Sequence, residues 1–294
     1  MMIQIEDLSK QYYGSKTKAL DHINLTIKPG ILGLVGENGA GKTTLIKILA
    51  TMLKKTSGKI HIGDYELPKD ELKIRQSLGY LPQNFNLFNT LTVYEAMDYI
   101  ASLKNIPPHI RKEEIPRLLE EVHLQNKSQE QIKKLSGGMK QRLGIATSLL
   151  GNPSFIIMDE PTVGLDPTER LNFRNLLSKY ADDRIIILSS HIISDISMLC
   201  HDIAIMQKGT MTYSGSTSQL IKSMRNKIYV TSIDKKQEIN PQYQKNIISI
   251  SLKEERLEVR FFSDTVPNFE NTVCVEPCLE DAYFYITSKS GDLK

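Results

Sequence analysis

The stretch Gly36-Glu37-Asn38-Gly39-Ala40-Gly41-Lys42-Thr43-Thr44 fits the pattern G-x-x-x-x-G-K-[ST]. It constrains the fold because it works only between a buried strand and a helix. Its flanks supply both. Ile31-Leu32-Gly33-Leu34-Val35 reads as a short buried strand running into the loop, and Leu45, Ile48, Leu49 and Met52 follow at helical spacing. In that setting the glycines let backbone N–H groups turn toward phosphates, and the helix N-terminus adds its positive end. Gly36, Asn38, Gly39, Ala40, Gly41 and Thr44 are therefore expected to cradle nucleotide phosphates. Lys42 is expected to reach the β- and γ-phosphates, and the Thr43 hydroxyl to hold Mg²⁺.

A second stretch narrows the class. Leu135-Ser136-Gly137-Gly138-Met139-Lys140-Gln141-Arg142 opens a segment in which Met139, Leu143, Ala146 and Leu150 follow one helical face, and Gly151-Asn152-Pro153 stops it. Ser136, Gly137 and Gly138 thus sit at a helix N-terminus, which suits a phosphate. Next comes Phe155-Ile156-Ile157-Met158-Asp159-Glu160, an apolar strand with two carboxylates emerging at its end, where ligands sit in open α/β sheets. Asp159 is placed to bind Mg²⁺, and Glu160 to orient or deprotonate an attacking water.

The Leu-Ser-Gly-Gly stretch resembles the signature of ATP-binding cassette (ABC) proteins, and the remaining motifs of that family follow in order. Tyr12, after Leu8-Ser9-Lys10-Gln11, resembles the aromatic that stacks on adenine, with Tyr13 as its rival. Gln83, closing Leu78-Gly79-Tyr80-Leu81-Pro82-Gln83, resembles the glutamine that joins the metal to the helical subdomain. Gly164-Leu165-Asp166-Pro167 resembles the loop that touches the partner subunit, and His191 after Ile185–Ser190 resembles the γ-phosphate histidine. The resemblance covers residues 1 to about 222. It implies an α/β P-loop NTPase cassette with a mixed core sheet, an antiparallel β subdomain and a helical subdomain at about 84–150. It further implies a composite ATP site, completed by a homodimer or a heterodimer with a second cassette.

Composition agrees. The chain has 294 residues, 40% hydrophobic, with three cysteines and a net charge of +3, too mild to argue for nucleic acid. No apolar run approaches the ~18 residues of a membrane-crossing helix, and the N-terminus does not read as a signal peptide. A cytoplasmic protein with reduced thiols is expected. Residues 1–30 and 58–82 suit a small antiparallel sheet. Thr92 and Glu95 make a capping box ahead of a first helix. Pro107-Pro108 breaks the chain, and Ile115, Leu118, Leu119 and Val122 mark a second helix. This helical insert, and the absence of an Asn-Lys-x-Asp motif, favour ATP over GTP.

Beyond Lys222 the motifs stop, and residues 223–294 read as a small α+β, β-rich domain. Lys227–Thr231 and Ile247–Ile250 look like strands, and Lys253–Arg256 like the turn of a hairpin ending at Phe262. Cys278–Phe284 reads as an amphipathic helix and resembles the Leu-Glu-Asp-x-Phe ending of cassettes from drug and antibiotic-peptide exporters, as does Met139-Lys140 in the signature. The expectation is an ATPase subunit at the cytoplasmic face of a membrane, powering export of a drug, antibiotic peptide or lipid-like substrate through a separate integral membrane permease. The rivals are a soluble cassette ATPase acting on ribosomes, which usually carries two cassettes, and a DNA-repair ATPase, which splits the cassette with a long coiled coil. A non-hydrolysing regulator is disfavoured by the presence of Glu160.

Overall fold

The computed structural model describes residues 1–235, 244–267 and 271–291. Its centre is a six-stranded sheet of order β10-β9-β3-β8-β7-β6. The strands are β3 (Gly30–Val35), β6 (Leu78–Leu81), β7 (Phe155–Asp159), β8 (Ile185–Ser190), β9 (Asp202–Gln207) and β10 (Thr210–Ser216). All neighbours pair parallel except the β9–β10 hairpin. Parallel strands covered on both faces are apolar throughout, and β7 and β8 are buried from end to end.

The phosphate-loop helix α1 (Lys42–Leu49) follows β3. Met52, expected on its buried face, lies past the end of the helix and is exposed. The helix stops at Ala50 and Thr51 takes a left-handed backbone, so the periodicity no longer applies there.

A second, antiparallel sheet has the order β2-β1-β4-β5, with β1 Ile3–Gln11, β2 Lys18–Ile27, β4 Ser57–Ile62 and β5 Tyr65–Leu67. The expected extent to residue 82 needs correction. Glu71–Ser77 forms helix α2, and Leu78–Leu81 joins the central sheet beside β7 instead. A Cβ on Gly79 would lie 2.1 Å from the Ser148 carbonyl, so the glycine lets this strand pass close under the next helical layer.

That layer contains α3 (Val93–Leu103), α4 (Pro108–Glu121) and α5 (Gly137–Leu149). Thr92 and Glu95 form both bonds of the capping box of α3. Pro107-Pro108 does not merely interrupt the chain. Pro108 is the first residue of α4, where its missing N–H has no partner to lose. Val93, Met97, Ile115, Leu118, Leu143 and Ala146 are fully buried and belong to one apolar cluster with Ile186 and Leu188 of the central sheet.

After α6 (Pro167–Tyr180), α7 (Ile193–Leu199) and α8 (Thr217–Lys222), a third sheet has the order β12-β13-β11-β14. Its strands are β11 Ile228–Asp234, β12 Ile247–Lys253, β13 Arg256–Phe262 and β14 Thr272–Cys274. The hairpin turns at Glu254-Glu255, with Lys253 paired to Arg256. The C-terminal helix α9 (Leu279–Gly291) runs longer than expected. Asp281 anchors its start. The carboxylate accepts two bonds from Arg260 at 2.6 Å and one from the Cys278 N–H at 2.7 Å. Leu279 and Ala282 join the apolar cluster that also holds the helical layer. Among the described residues no helix is long and apolar enough to cross a membrane.

Candidate functional site

The phosphate loop is shaped by close backbone approach. Gly41 has φ 105°, and a Cβ there would lie 2.6 Å from the Ala19 carbonyl. The loop is closed by Ala40 N–H donating to Glu37 O at 3.1 Å and tied to the β9–β10 turn by Gly209 N–H donating to Ala40 O at 3.0 Å. Lys42 is buried, and its Nζ donates back across the loop to Gly36 O at 2.6 Å and Glu37 O at 3.1 Å. Burial lowers its pKa, and the nearby Glu160, Asp159 and Glu37 oppose that shift by favouring the charged form.

A cavity of about 160 Å³ opens over this loop. Its walls bring together Asn38, Gly39, Ala40, Gly41, Lys42, Thr43, Thr44, Gln83, Asp159 and Glu160. Gly36 lies just behind, at the end of β3. Tyr12 stands at the rim with its hydroxyl 3.2 Å from Thr44 Oγ1, whereas Tyr13 projects fully into solvent. The Lys10 ammonium lies 5.4 Å from the Tyr12 ring centre.

The carboxylates are delivered by register. β7 and β8 run parallel with Asp159 opposite Ser189, and β3 pairs Val35 with Ser190 across the other edge of β8. The strands therefore end at one level. The Ser189 hydroxyl donates to Asp159 Oδ1 and accepts from the Glu160 N–H at 3.1 Å. Glu160 takes a left-handed backbone with φ 54°, a conformation that costs a non-glycine residue about 1 kcal/mol or more and is concentrated at functional sites. This turn directs its buried side chain across the strand ends. There Oε2 meets His191 Nδ1 at 2.9 Å, with the imidazole half-exposed.

The signature residues do not line this cavity. Ser136 caps α5, its hydroxyl accepting from Met139 N–H at 3.2 Å, and Gly137 and Gly138 form the first turn. Contacts inside the chain hold this turn against the segment after Glu160. Gln141 Nε2 donates to Pro161 O at 2.9 Å, and Asp195 of α7 takes Thr162 Oγ1 at 2.6 Å and Arg170 at 3.1 Å. Asp166 and Glu169 form a capping box at the start of α6.

Three contributors escaped the sequence reading. Ser189 is the hydroxyl that joins the Asp159 carboxylate to the Glu160 backbone N–H, signalled only by a polar pair ending an apolar strand. Asp195 and Glu169 lie on helices α7 and α6, outside every motif of the sequence.

Comparisons with known proteins agree with this geometry. A family model described as "ABC transporter" matches residues 20–163. The Escherichia coli K12 protein named "Probable multidrug ABC transporter ATP-binding protein YbhF" is 35% identical over 230 residues, covering 78% of this chain but 40% of that protein. A Nostoc protein named "Uncharacterized ABC transporter ATP-binding protein all4389" is 36% identical over 232 residues, covering 76% of this chain and 68% of that one. Among solved structures, "Dimeric structure of a post-hydrolysis state of the ATP-binding cassette MJ0796 bound to ADP and Pi" superimposes with a TM-score of 0.67 at 27% identity, over 73% of this chain and 98% of that chain.

Proposed function

Because this chain belongs to the ABC transporter family, we propose that it is an ATP-binding and ATP-hydrolysing subunit that powers export through a separate membrane permease. The observation that carries this reading is the single cavity shared by the phosphate loop, Gln83, Asp159 and Glu160. It gathers phosphate donors, metal-ligating oxygens and a base within reach of one γ-phosphate.

The chemistry follows from the residues. The loop N–H groups and the N-terminus of α1 bind the phosphates, with Lys42 adding charge. Tyr12 offers its exposed ring to the adenine. Thr43, Gln83 and Asp159 would hold Mg²⁺. All three residues line the cavity and carry hard oxygen donors, the kind that suits this ion. That ion would supply positive charge to offset the phosphates' negative charge. Glu160 orients the attacking water and accepts its proton. His191 steadies the Glu160 carboxylate through Nδ1 and leaves its other ring nitrogen for the γ-phosphate.

Ser136, Gly137 and Gly138 are not among the residues lining that cavity, which supports their acting on the nucleotide of a partner cassette, in a homodimer or a heterodimer. MJ0796, a cassette of the same fold, is dimeric by the description of its structure. Residues 1–222 form the nucleotide-binding domain in this reading, and residues 223–294 an appended domain. The latter's own small cluster of Tyr229, Ile233, Val259 and Phe261 supports the division. The name of YbhF, a probable multidrug transporter protein, supports drug-like compounds as the transported class.

The permease would dock beyond Gln83, at the cytoplasmic face of the membrane. Phe88 and Tyr99 support this placement. Both are exposed, and they form an edge-to-face pair with ring centres 5.9 Å apart. The test has two arms. Purified chain is assayed for phosphate release from ATP and GTP, and ATP is expected to be preferred. Phe88→Glu is assayed for co-purification with the permease encoded beside it. Loss of co-purification with nucleotide binding intact is expected, and intact co-purification overturns the docking surface.

A further inference from the structure

We propose that Glu169 is a positioning residue for the partner-facing half of the composite ATP site, holding the signature turn and the start of α6 as one unit. The proposal rests on the composite-site reading above.

The two oxygens of Glu169 do different things. Oε2 accepts from the Asp166 N–H at 3.3 Å, closing the capping box of α6. Oε1 lies 3.1 Å from Arg142 Nε on α5, near enough for charge pairing although the angle is wrong for a hydrogen bond. The same carboxylate fills the space beside Gly138. A Cβ at that position would lie 2.7 Å from Oε2 and 3.3 Å from Oε1, and 3.3 Å from the Gly164 carbonyl. Gly138 thus lets the carboxylate and the Gly164–Asp166 loop press directly on the signature turn.

Arg142 extends the arrangement. Its Nη1 donates to Val122 O at 3.1 Å and His123 O at 3.3 Å, just past the end of α4. Helix α4, the signature helix and α6 therefore converge on one ion pair, and both of its side chains are mostly shielded, at 18% and 20% exposure. Shielding makes the charge matter more than it would at an open surface.

Helix capping alone does not need that charge, because a neutral glutamine at the same position closes a capping box equally well. The Arg142 contact does need it. Glu169→Gln therefore separates the two roles. It keeps shape and cap and removes the attraction that fixes the direction in which Ser136, Gly137 and Gly138 face the partner's nucleotide.

The experiment uses full-length chain carrying Glu160→Gln so that ATP persists. Into it are placed Glu169→Gln, Arg142→Gln, both together, and Arg142→Lys. Three quantities are read: affinity of the dilute monomer for a fluorescent ATP analogue, the ATP concentration giving half-maximal dimer by light scattering, and the thermal midpoint. Glu169→Gln is expected to leave monomer affinity within about twofold and to raise the ATP needed for dimers about tenfold, the size of effect typical of residues that couple sites without touching ligand. The double variant is expected to be no worse than Arg142→Gln alone, since that substitution has already broken the contact with Glu169. Arg142→Lys, which keeps the charge, is expected to retain most of the dimer.

Dimerisation of Glu169→Gln at the parental ATP concentration overturns the positioning role. So do additive losses in the double variant, or a fall in monomer affinity or thermal midpoint that accounts for the lost dimer. If the parent itself forms no dimer with ATP, the composite site of a homodimer fails, and the positioning role in that homodimer falls with it.

Discussion

His191 Nδ1 lies 2.9 Å from Glu160 Oε2, although the two residues leave the central sheet on different strands. The pair gives the carboxylate a fixed direction over the phosphate loop. It also separates two kinds of defect, loss of the base and loss of what aims it.

Glu160→Gln is expected to retain ATP binding and to lose about 10²–10⁴-fold in hydrolysis, the range typical of a missing general base. His191→Ala removes the aiming contact and is expected to lower turnover while leaving the nucleotide dissociation constant nearly unchanged. Steady-state phosphate release and equilibrium nucleotide binding check both. A Glu160→Gln protein within about threefold of wild type removes Glu160 from its assigned role.

Lys42→Ala and Ser136→Arg are expected to complement each other. Lys42→Ala disables the phosphate loop of its own chain, and Ser136→Arg sets a bulky cation against the partner's γ-phosphate. In a mixed dimer both lesions fall in one site, leaving the other intact. With Glu160→Gln in both chains, light scattering should recover part of the ATP-dependent dimer that neither protein forms alone. No recovery at any ratio of folded proteins leaves a heterodimer with a second cassette as the surviving arrangement.

Gly41→Ala is expected to destabilise the fold more than Gly39→Ala. Both positions have positive φ, at 105° and 83°, so both substitutions carry about 1 kcal/mol of backbone strain. Only at Gly41 does the added Cβ strike backbone, 2.6 Å from Ala19 O, while Gly39 has no atom within 4 Å. Urea midpoints of the two variants check the order, and equal losses contradict it.

Lys104 gives the stability a pH dependence. Its Nζ donates to Leu150 O at 2.8 Å, and burial lowers its pKa to about 8, against the opposing charge of Glu114. The unfolded value is near 10.4. Between the two values the unfolded chain holds a proton that the folded chain has released, so this group's contribution to stability rises with pH. The penalty is fully present below about pH 8. The stability gap between wild type and Lys104→Met should therefore move in favour of wild type between pH 7 and pH 10, as read from urea midpoints. A gap that does not change with pH removes the proton linkage.

Most of the site is legible in the sequence because its parts are local. Lys42, Asp159, Glu160 and the Ser136 cap each sit at a strand–helix or helix boundary that the apolar pattern marks. The placement of Leu78–Leu81 is not legible in the same way. A four-residue strand fits either sheet, and it is the partner, β7, that decides. Glu169 and Asp195, and the contact that Arg142 of the signature stretch makes with Glu169, are also hidden. All three are charged residues on helices, where a polar face is the ordinary state, and only tertiary packing turns them toward their partners. Met52 shows the converse failure, since its apolar period outlasts the helix by three positions.

The parallel pairing of β7 with β8 bears on which insertions and deletions this chain can absorb. Removing one residue from β8 shifts its end by about 3.3 Å and turns every side chain beyond the gap to the opposite face. Ser189 then no longer meets Asp159, and His191 leaves Glu160. The Ala181–Arg184 turn that precedes β8 touches none of these groups. Lengths are therefore free to drift in such connections and are fixed within β3, β7 and β8. Sequence gaps among functional relatives are expected to accumulate in the first and to be purged from the second.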